Sequence, residues 1–295
     1  MMVILPNLIV FIFGACVGSF LNCVIYRISL KDKSLIKDNN LSDSSRDKPS
    51  FLKGRSFCPR CHQTLRWYDL IPIFSFVFLG GKCRYCHQKI SWQYPVVEIA
   101  TGLIFLLIII YHLSFINFLY LSIISCFLII IAVYDLRHYI IPDEVIYPAI
   151  IIALIFNIQY VMRAPFSSLL ARSARSFSIF NQFSILNFQK VFLSPLLAGI
   201  GAGGFFFLIW FISRGKWMGL GDAKIGFLMG LFLGFPNILV ALFLSFLFGA
   251  ILGLFLMGLG KKNMKSQLPF GPFLVTGTFV ALFWGERIIN WYLFI

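Results

Sequence analysis

Eight long apolar runs dominate this chain, and they restrict the folds it can adopt more than any other feature. A bilayer core of about 30 Å is crossed by roughly 20 apolar residues in a helix, and inside it only helices and closed barrels satisfy every backbone hydrogen bond. The hydrophobic fraction of 59% also exceeds that of soluble domains. We therefore predict an all-α polytopic membrane bundle with about eight transmembrane helices. The runs lie at about 3–27, 96–113, 116–134, 145–162, 191–213, 223–235, 237–260 and 271–293.

The sixth run, 223–235, is shorter than the others because Pro236 follows it. A helix rises 1.5 Å per residue, so this run covers only about 20 Å. We expect its helix to begin inside the membrane rather than at the surface. The first run has no basic residue ahead of it and no small-residue cleavage site, so we expect it to be retained as a transmembrane helix.

Basic residues are distributed unevenly between the two sides of this eight-helix topology. One side carries 18 Lys and Arg residues, against four on the other, all of them in the loop 163–190. The positive-inside rule places the first side in the cytoplasm. The net charge of +14 therefore indicates membrane topology and contact with anionic lipid, not nucleic acid. The cytoplasmic segments are 29–95, 135–144, 214–222 and 261–267.

The same patterns divide the chain into three regions. Residues 1–28 form the first transmembrane helix, 29–95 form a cytoplasmic loop between helices one and two, and 96–295 form the remaining transmembrane domain. Within the loop, residues 29–50 are polar and mixed in charge, which is typical of a flexible connection.

Residues 51–95 are predicted to form a compact module that bears cysteines. Its apolar stretch from Leu70 to Leu79 is too short to span a bilayer and contains Pro72. We expect this stretch to form either the core of the module or a strip lying on the membrane surface.

Two Cys-x-x-Cys pairs, Cys58-Pro-Arg-Cys61 and Cys83-Arg-Tyr-Cys86, provide a candidate metal site. Each pair is able to occupy one edge of a tetrahedron, so four thiolates would complete a closed structural zinc site. Disulfides do not persist in a reducing cytoplasm, which favours metal over crosslinks. A bare thiol pair, or a redox role for the cysteines, is an alternative.

A second alternative for the module is haem. His62 and His87 follow the two pairs, so both read Cys-x-x-Cys-His, the pattern of c-type haem attachment. That interpretation predicts a dihaem electron carrier with Soret absorbance. It conflicts with the predicted cytoplasmic location, because this attachment occurs outside the cytoplasm.

Asp135 and Asp222 are candidate catalytic residues. Each carboxylate lies at the end of an apolar run, where burial is costly and a functional role is the default hypothesis. The predicted topology places both at the cytoplasmic ends of their helices and hence at similar depth. Two carboxylates that meet there would form an aspartic dyad, with one neutral and one ionised, because like charges in contact do not both ionise easily.

Five further residues are candidates for supporting or substrate-binding roles. Gly219 and Gly221 lack side chains and would let an extended substrate backbone approach Asp222. Asp143 would position the dyad, engage a positive substrate segment or cap the fourth helix. Lys224 would pair with Asp222, contact the substrate or reach the membrane interface. Glu98 is expected in the first turn of the second helix, where an acid complements the helix dipole, with a contact to the free amine of the substrate as the alternative.

At these motifs the chain resembles the type IV prepilin leader peptidase family of bacteria, over nearly its whole length and in the same order. Gly-x-Gly-Asp alone is a weak signal, whereas the ordered set is specific. The set comprises Gly18-Ser-Phe-Leu-Asn-Cys-Val-Ile-Tyr-Arg27, the two Cys pairs, Trp67-Tyr-Asp-Leu-Ile-Pro72, Tyr94-Pro-Val-Val-Glu98, Asp135 with Ile141-Pro-Asp143, Gly219-Leu-Gly-Asp222 and Pro269-Phe-Gly-Pro272.

The resemblance implies an intramembrane aspartic peptidase of the bacterial inner membrane that removes the basic leader of prepilins or pseudopilins on the cytoplasmic side. It also implies N-methylation of the new N-terminus with S-adenosylmethionine, supported by the region 29–95. The sequence contains no Gly-rich nucleotide loop, so methylation rests on the resemblance alone.

A transporter and the haem-bearing electron carrier described above are the two functional classes that compete with a peptidase. A transporter would also carry intramembrane acids and short interrupted helices, but its acids should lie near the middle of the membrane. Other Gly-x-Gly-Asp membrane proteases share the Asp222 motif, and the Cys module distinguishes this chain from them.

Overall fold

The computed structural model describes residues 4–37, 56–61, 63–111, 114–170, 193–259 and 268–293, and these are mostly helical. Nine α-helices lie in these ranges, together with a 3₁₀ turn at Trp67–Leu70 and two isolated β-bridges. The helices are α1 (Ile4–Lys37), α2 (Phe74–Phe78), α3 (Gln93–Tyr111), α4 (Phe115–His138), α5 (Asp143–Leu170), α6 (Ser194–Ser213), α7 (Leu220–Leu233), α8 (Asn237–Gly258) and α9 (Gly271–Leu293).

The predicted polytopic helical bundle is confirmed. Within the described residues, six helices are long and apolar enough to cross a membrane, namely α1, α3, α4, α6, α8 and α9. Each of the eight predicted runs coincides with a helix. The remaining two are α5, whose described side chains end at Gln159, and α7, which has only 14 residues.

Two helices extend past their predicted ends. α1 continues to Lys37, so the predicted flexible connection at 29–50 begins as helix. No Gly or Pro interrupts this part, and an existing helix adds residues more easily than a new one nucleates. α5 continues to Leu170, into the predicted loop 163–190. The remainder of both predicted loops lies outside the described residues.

The chain divides into two compact units, Met1–Ile130 and Ile131–Ile295. The division by sequence pattern into 1–28, 29–95 and 96–295 remains a prediction. In the first unit, α1 and α3 pack with their backbones in contact: an added Cβ on Gly18 would lie 2.8 Å from the Cα of Glu98. Small residues permit this close approach in membrane helix pairs.

In the second unit, α7 is enclosed by other helices and packs against α5, α6, α8 and α9. Its buried side chains lie on every face, which is typical of a helix surrounded by protein. Gly230 permits the closest approach, since an added Cβ would clash with the backbone of Ala198 and Gly199 in α6. The N-terminus of this enclosed helix carries Asp222.

Candidate active site and metal site

Asp135 lies in the last turn of α4 and is only 5% exposed. The turn closes with a hydrogen bond from the backbone N–H of Tyr139, a residue with a left-handed φ of 57° that ends the helix. The Oδ2 atom of Asp135 accepts a hydrogen bond of 2.9 Å from the backbone N–H of Gly271, the first residue of α9. The first N–H groups of a helix have no intrahelical partner and bind anions readily, so the N-terminus of α9 stabilises this carboxylate.

Asp222 lies in the first turn of α7 and is 9% exposed. Its Oδ2 atom accepts a hydrogen bond of 3.2 Å from the backbone N–H of Gly219, at the position that precedes the helix. This contact closes the first turn, and a carboxylate here is also favoured by the helix dipole. Both aspartates are therefore supported by the N-terminus of a helix, Asp222 by its own and Asp135 by that of α9.

The structure brings these two aspartates together. Their carboxyl groups lie close enough for the charge of Asp135 to act on Asp222. Within the described part of the chain, each uses Oδ2 for its backbone hydrogen bond, which leaves Oδ1 available to water or a substrate. Gly271 belongs to the Pro269-Phe-Gly-Pro272 motif, but the sequence alone predicts no role for this glycine.

The two glycines of the Gly219-Leu-Gly-Asp222 motif have different surroundings. The nearest atoms to an added Cβ on Gly219 would be Asp222 Oδ2 at 3.7 Å and the Gly221 nitrogen at 3.9 Å, so space is open there. An added Cβ on Gly221 would lie 2.6 Å from the Cδ1 atom of Ile141. Gly221 thus makes room for the segment between α4 and α5, whereas Gly219 leaves room beside the dyad.

Lys224 pairs with Asp143 rather than with Asp222. Its Nζ atom contacts Asp143 Oδ1 and lies 4.9 Å from the centre of the Tyr147 ring. The side chain of Lys224 is 20% exposed and that of Asp143 is 60% exposed. Asp143 is the first residue of α5, so the ion pair ties the start of α5 to the start of α7, two residues from Asp222.

Glu98 lies in the first unit, buried in α3. The prediction that it occupies the first turn of this helix is wrong, because α3 begins at Gln93 and places Glu98 in the second turn. Its Oε2 atom accepts a hydrogen bond of 2.7 Å from the backbone N–H of Ile73, which precedes α2 and has a left-handed φ of 62°. Ser19 of α1 also donates a hydrogen bond to this carboxylate. Glu98 therefore fixes an unusual backbone conformation at the base of the apolar stretch 70–79.

The four module cysteines converge on one point. The Sγ atoms of Cys58, Cys61, Cys83 and Cys86 all lie within 4.8 Å of one another, and those of Cys58 and Cys86 are 3.9 Å apart. Tetrahedral zinc with Zn–S bonds of about 2.3 Å requires sulfur atoms roughly 3.8 Å apart. The donor set and the spacing therefore fit a structural metal ion.

The cysteines are presented by two hairpin-like turns of the same design. In the first, Cys58 N–H donates to Gln63 O and Leu65 N–H donates to Ser56 O; in the second, Cys83 N–H donates to Gln88 O and Ile90 N–H donates to Gly81 O. Both turns carry the sequence Cys-x-x-Cys-His-Gln, which extends the shared Cys-x-x-Cys-His pattern by one residue. Burial raises the pKa of Cys58, but hydrogen bonds from the Cys61 and Arg60 backbone lower it to about 7. Such a thiol is prepared to ligate as a thiolate.

A buried acid connects the second turn to the rest of the module. Asp69, whose side chain is 2% exposed, accepts hydrogen bonds from Arg84 Nε at 2.8 Å and from the Arg66 backbone at 3.2 Å. Arg84 lies between Cys83 and Cys86, so this ion pair orients one half of the cluster from the Trp67–Leu70 turn.

The haem interpretation does not fit this geometry. Two c-type haems would need two separate attachment sites, whereas all four sulfur atoms share one site. His87 is exposed, and its backbone N–H donates to Cys83 O. His62 lies outside the described residues.

Fold and site together define a polytopic helical membrane protein with two buried carboxylates at helix ends and a four-cysteine cluster. Two family models match: the bacterial peptidase A24 N-terminal domain over residues 12–112 and the type IV leader peptidase family over residues 122–254. The chain belongs to the type IV leader peptidase family. The transporter and electron-carrier alternatives are therefore not supported.

Similar proteins extend over nearly the full chain. The prepilin leader peptidase/N-methyltransferase of Bacillus subtilis strain 168 is 32% identical over 293 residues, which cover 97% of both chains. The protein of the same name from Legionella pneumophila is 30% identical over 293 residues, covering 97% of this chain and 94% of that one. That of Pseudomonas aeruginosa is 28% identical over 287 residues, which cover 95% of this chain and 91% of that one. No solved structure matches the chain.

Proposed function

We propose that this protein is a membrane-embedded aspartic endopeptidase that removes the leader peptide of type IV prepilin-like proteins and N-methylates the new N-terminus. The observation that carries the peptidase activity is the buried pair of Asp135 and Asp222, each held by a helix N-terminus. The relatives carry both activities in their names.

In the proposed mechanism the two aspartates share one proton, because two carboxylates in contact do not both ionise readily. The ionised member takes a proton from a water molecule, whose oxygen adds to the scissile carbonyl carbon. The protonated member donates to the carbonyl oxygen. When the tetrahedral intermediate collapses, the C–N bond breaks and the leaving nitrogen receives a proton from the dyad. The N–H groups of Gly271 and Gly219 hold the carboxylates in position throughout.

The neighbouring residues have supporting roles in this proposal. The open space at Gly219 would admit the substrate backbone beside Asp222. Gly221, which has no side chain, leaves the space that the Ile141 side chain occupies. The Lys224–Asp143 pair holds the start of α7, and the exposed carboxylate of Asp143 is accessible to a basic leader. Glu98 serves the first unit by fixing Ile73.

The proposed location is the bacterial inner membrane, with the dyad and the Cys module toward the cytoplasm. The support is the excess of Lys and Arg in the segments flanking these sites, since basic loops remain on the cytoplasmic side. Prepilins or pseudopilins are the proposed substrates, and cleavage would occur where their basic leader meets the hydrophobic segment.

Methylation is assigned to the first unit. Cys58, Cys61, Cys83 and Cys86 would hold structural Zn²⁺, which would tie the two turns into one module. S-adenosylmethionine would be the methyl donor. The proposal names no residue for the donor site.

The experiment that tests the proposed function is co-expression with a prepilin that carries a basic leader, followed by mass spectrometry of the product. Wild-type protein should yield a shortened product with a methylated N-terminus. The Asp135→Asn/Asp222→Asn double variant should leave the substrate at full length. An uncleaved substrate with the wild-type protein, tried against prepilins and pseudopilins alike, would contradict the peptidase assignment.

A second experiment separates the two activities. The aspartate double variant should still methylate a pre-cleaved peptide that has a free hydrophobic N-terminus. A Cys58→Ser/Cys61→Ser variant should lose methylation more severely than cleavage, because the second unit forms its backbone hydrogen bonds without the module. If cleavage and methylation fall in parallel across a graded series of Cys variants, the two-site proposal is wrong.

A further inference from the structure

Part of the Cys module exposes an unusual amount of apolar surface. We call this set of side chains the aromatic strip. They are 39–84% exposed and belong to the Trp67–Leu70 turn, to the segment that follows it and to α2. Monomeric proteins seldom leave a continuous apolar patch of this kind in water unless it binds a partner or a membrane. The strip consists of Trp67, Leu70, Ile71, Phe74, Val77 and Phe78.

The helix α2 has its apolar face directed outward. Phe74, Val77 and Phe78 lie at i, i+3 and i+4 and are 62%, 67% and 84% exposed, with the rings of Phe74 and Phe78 stacked 6.5 Å apart. Phe76 lies on the inner side, where its ring contacts Gly81 and Trp92. Both sides of α2 are therefore apolar, and no charged residue occurs between Leu70 and Gly81. This excludes the interpretation of 70–79 as module core alone.

Two contacts attach the aromatic strip to the start of the transmembrane helix α3. The Phe76 ring lies 5.1 Å from that of Trp92, the residue before α3, and the Ile73 N–H donates to Glu98 in its second turn. Because α3 crosses the membrane, its first turn marks the level of the bilayer interface, where Trp side chains are enriched. The strip is held at that same level.

We propose that the aromatic strip inserts into the interfacial layer of the bilayer at the end where α3 begins, and so holds the four-cysteine cluster against the membrane surface. Burial among headgroups and upper acyl chains accounts for the outward Phe74, Val77 and Phe78. Lys82, an exposed basic residue four positions after the strip ends at Phe78, would contact anionic headgroups. The partner is lipid, and this anchor acts whether or not the proposed catalytic assignments hold.

Site-specific photocrosslinking tests the anchor on the full-length protein in nanodiscs of phosphatidylcholine and phosphatidylglycerol. p-Benzoylphenylalanine replaces Phe78 in one variant. It replaces the lipid-facing Phe243 of α8, which is 67% exposed, in a second, and the exposed Gln88 of the second cysteine turn in a third. Mass spectrometry after illumination then counts lipid adducts. We expect the yield of lipid adducts at position 78 to be close to that at position 243 and several-fold higher than that at position 88. Equal adducts at 78 and 88, or adducts of position 78 only with protein, would overturn the proposal.

A second comparison covers the case in which the reporter itself disturbs the strip. With p-benzoylphenylalanine at Phe74, the added changes Val77→Asp and Phe78→Asp should reduce lipid adducts several-fold, because charges at the interface expel the strip. Bound metal per chain is measured alongside to show that the module remains folded. Unchanged lipid adducts in a variant that retains its metal would mean that the strip does not bind the membrane through this face.

Discussion

The backbone N–H of Gly271 points at Asp135, and the two residues lie so close that no side chain fits between them. The N–H donates to Oδ2 at 2.9 Å, and an added Cβ on Gly271 would lie 2.7 Å from the same oxygen. A residue 136 positions away thus determines where this carboxylate sits. The first turn of α9 belongs to the site as much as the aspartates do.

Gly271→Ala should therefore reduce leader cleavage with little loss of fold. The methyl group would displace the carboxylate, and a misplacement near 1 Å costs about 10²-fold in rate. Cleavage kinetics in detergent would report a fall in kcat. Gly204→Ala is the matched control, because no atom lies within 4 Å of its added Cβ. Wild-type kcat in Gly271→Ala would show that the contact with Asp135 does not position the dyad.

Asp135→Asn and Asp222→Asn should each lower cleavage by at least 10²–10⁴-fold, roughly the contribution of general acid–base catalysis, since a carboxamide neither accepts nor shuttles the proton. The measurement is substrate cleavage by purified variants of matched expression. Glu286→Gln, at an exposed carboxylate of α9, should retain activity. Substantial cleavage by either asparagine variant would exclude that aspartate from the dyad.

The Lys224–Asp143 pair predicts a small effect on stability and a larger one on catalysis. Partly exposed ion pairs contribute about 0.2–1 kcal/mol, so a double-mutant cycle with Lys224→Met and Asp143→Asn should give a coupling in that range. Both single variants should lower kcat because the start of α7 loses its tie to α5. Coupling near zero, together with normal kcat, would make the contact incidental.

The cysteine cluster predicts about one zinc per chain in the purified protein. Cys83→Ser/Cys86→Ser should remove the metal and speed proteolysis of the module, whereas Cys126→Ser, in α4, should leave the metal content unchanged. Lowering the pH should release the ion, because protons compete with metal for the thiolates. The zinc content per chain, measured over a series of pH values, would report this release. Full zinc content in a variant lacking all four cysteines would place the ligands elsewhere.

The contact between α6 and α7 predicts a large loss of stability in Gly230→Ala. The added Cβ would overlap the backbone of Ala198 and Gly199, which side-chain adjustment does not relieve. Overpacking of this kind costs about 1–3 kcal/mol or more. Thermal unfolding, monitored by aggregation or by tryptophan fluorescence, would measure the loss of stability. The control is Gly201→Ala, where the added Cβ meets no atom within 4 Å. Equal stability of the two would indicate that the helices separate without cost.

Helix positions were predicted well because length and hydropathy alone select them. The ends of α3, α6, α8 and α9 fall within a few residues of the apolar runs. The pairing of Asp135 with Asp222 was also expected, since the predicted topology places both at the cytoplasmic ends of their helices. The pairing of Lys224 with Asp143 was not expected, because the alternatives predicted for Lys224 were Asp222, the substrate and the membrane interface, and only the packing of α5 on α7 brings Asp143 near.

Other features depend on contacts between distant parts of the chain. Nothing local indicates that Gly271 meets Asp135, or that Gly221 accommodates Ile141 and not a substrate. The outward face of α2 was left open because the stretch 70–79 is apolar on both sides. Glu98 was predicted in the first turn of its helix, but α3 begins at Gln93, and the carboxylate accepts a hydrogen bond from Ile73.

The length of α7 matters because other helices enclose it. Its 14 residues cover about 21 Å, roughly two-thirds of the thickness of a bilayer core, and Asp222 lies in its first turn. The helices α5, α6, α8 and α9 surround α7, so protein and not lipid meets this short element. A carboxylate can therefore lie at the end of a helix within the membrane region without that end facing acyl chains, and the difference in length is absorbed by contacts between helices.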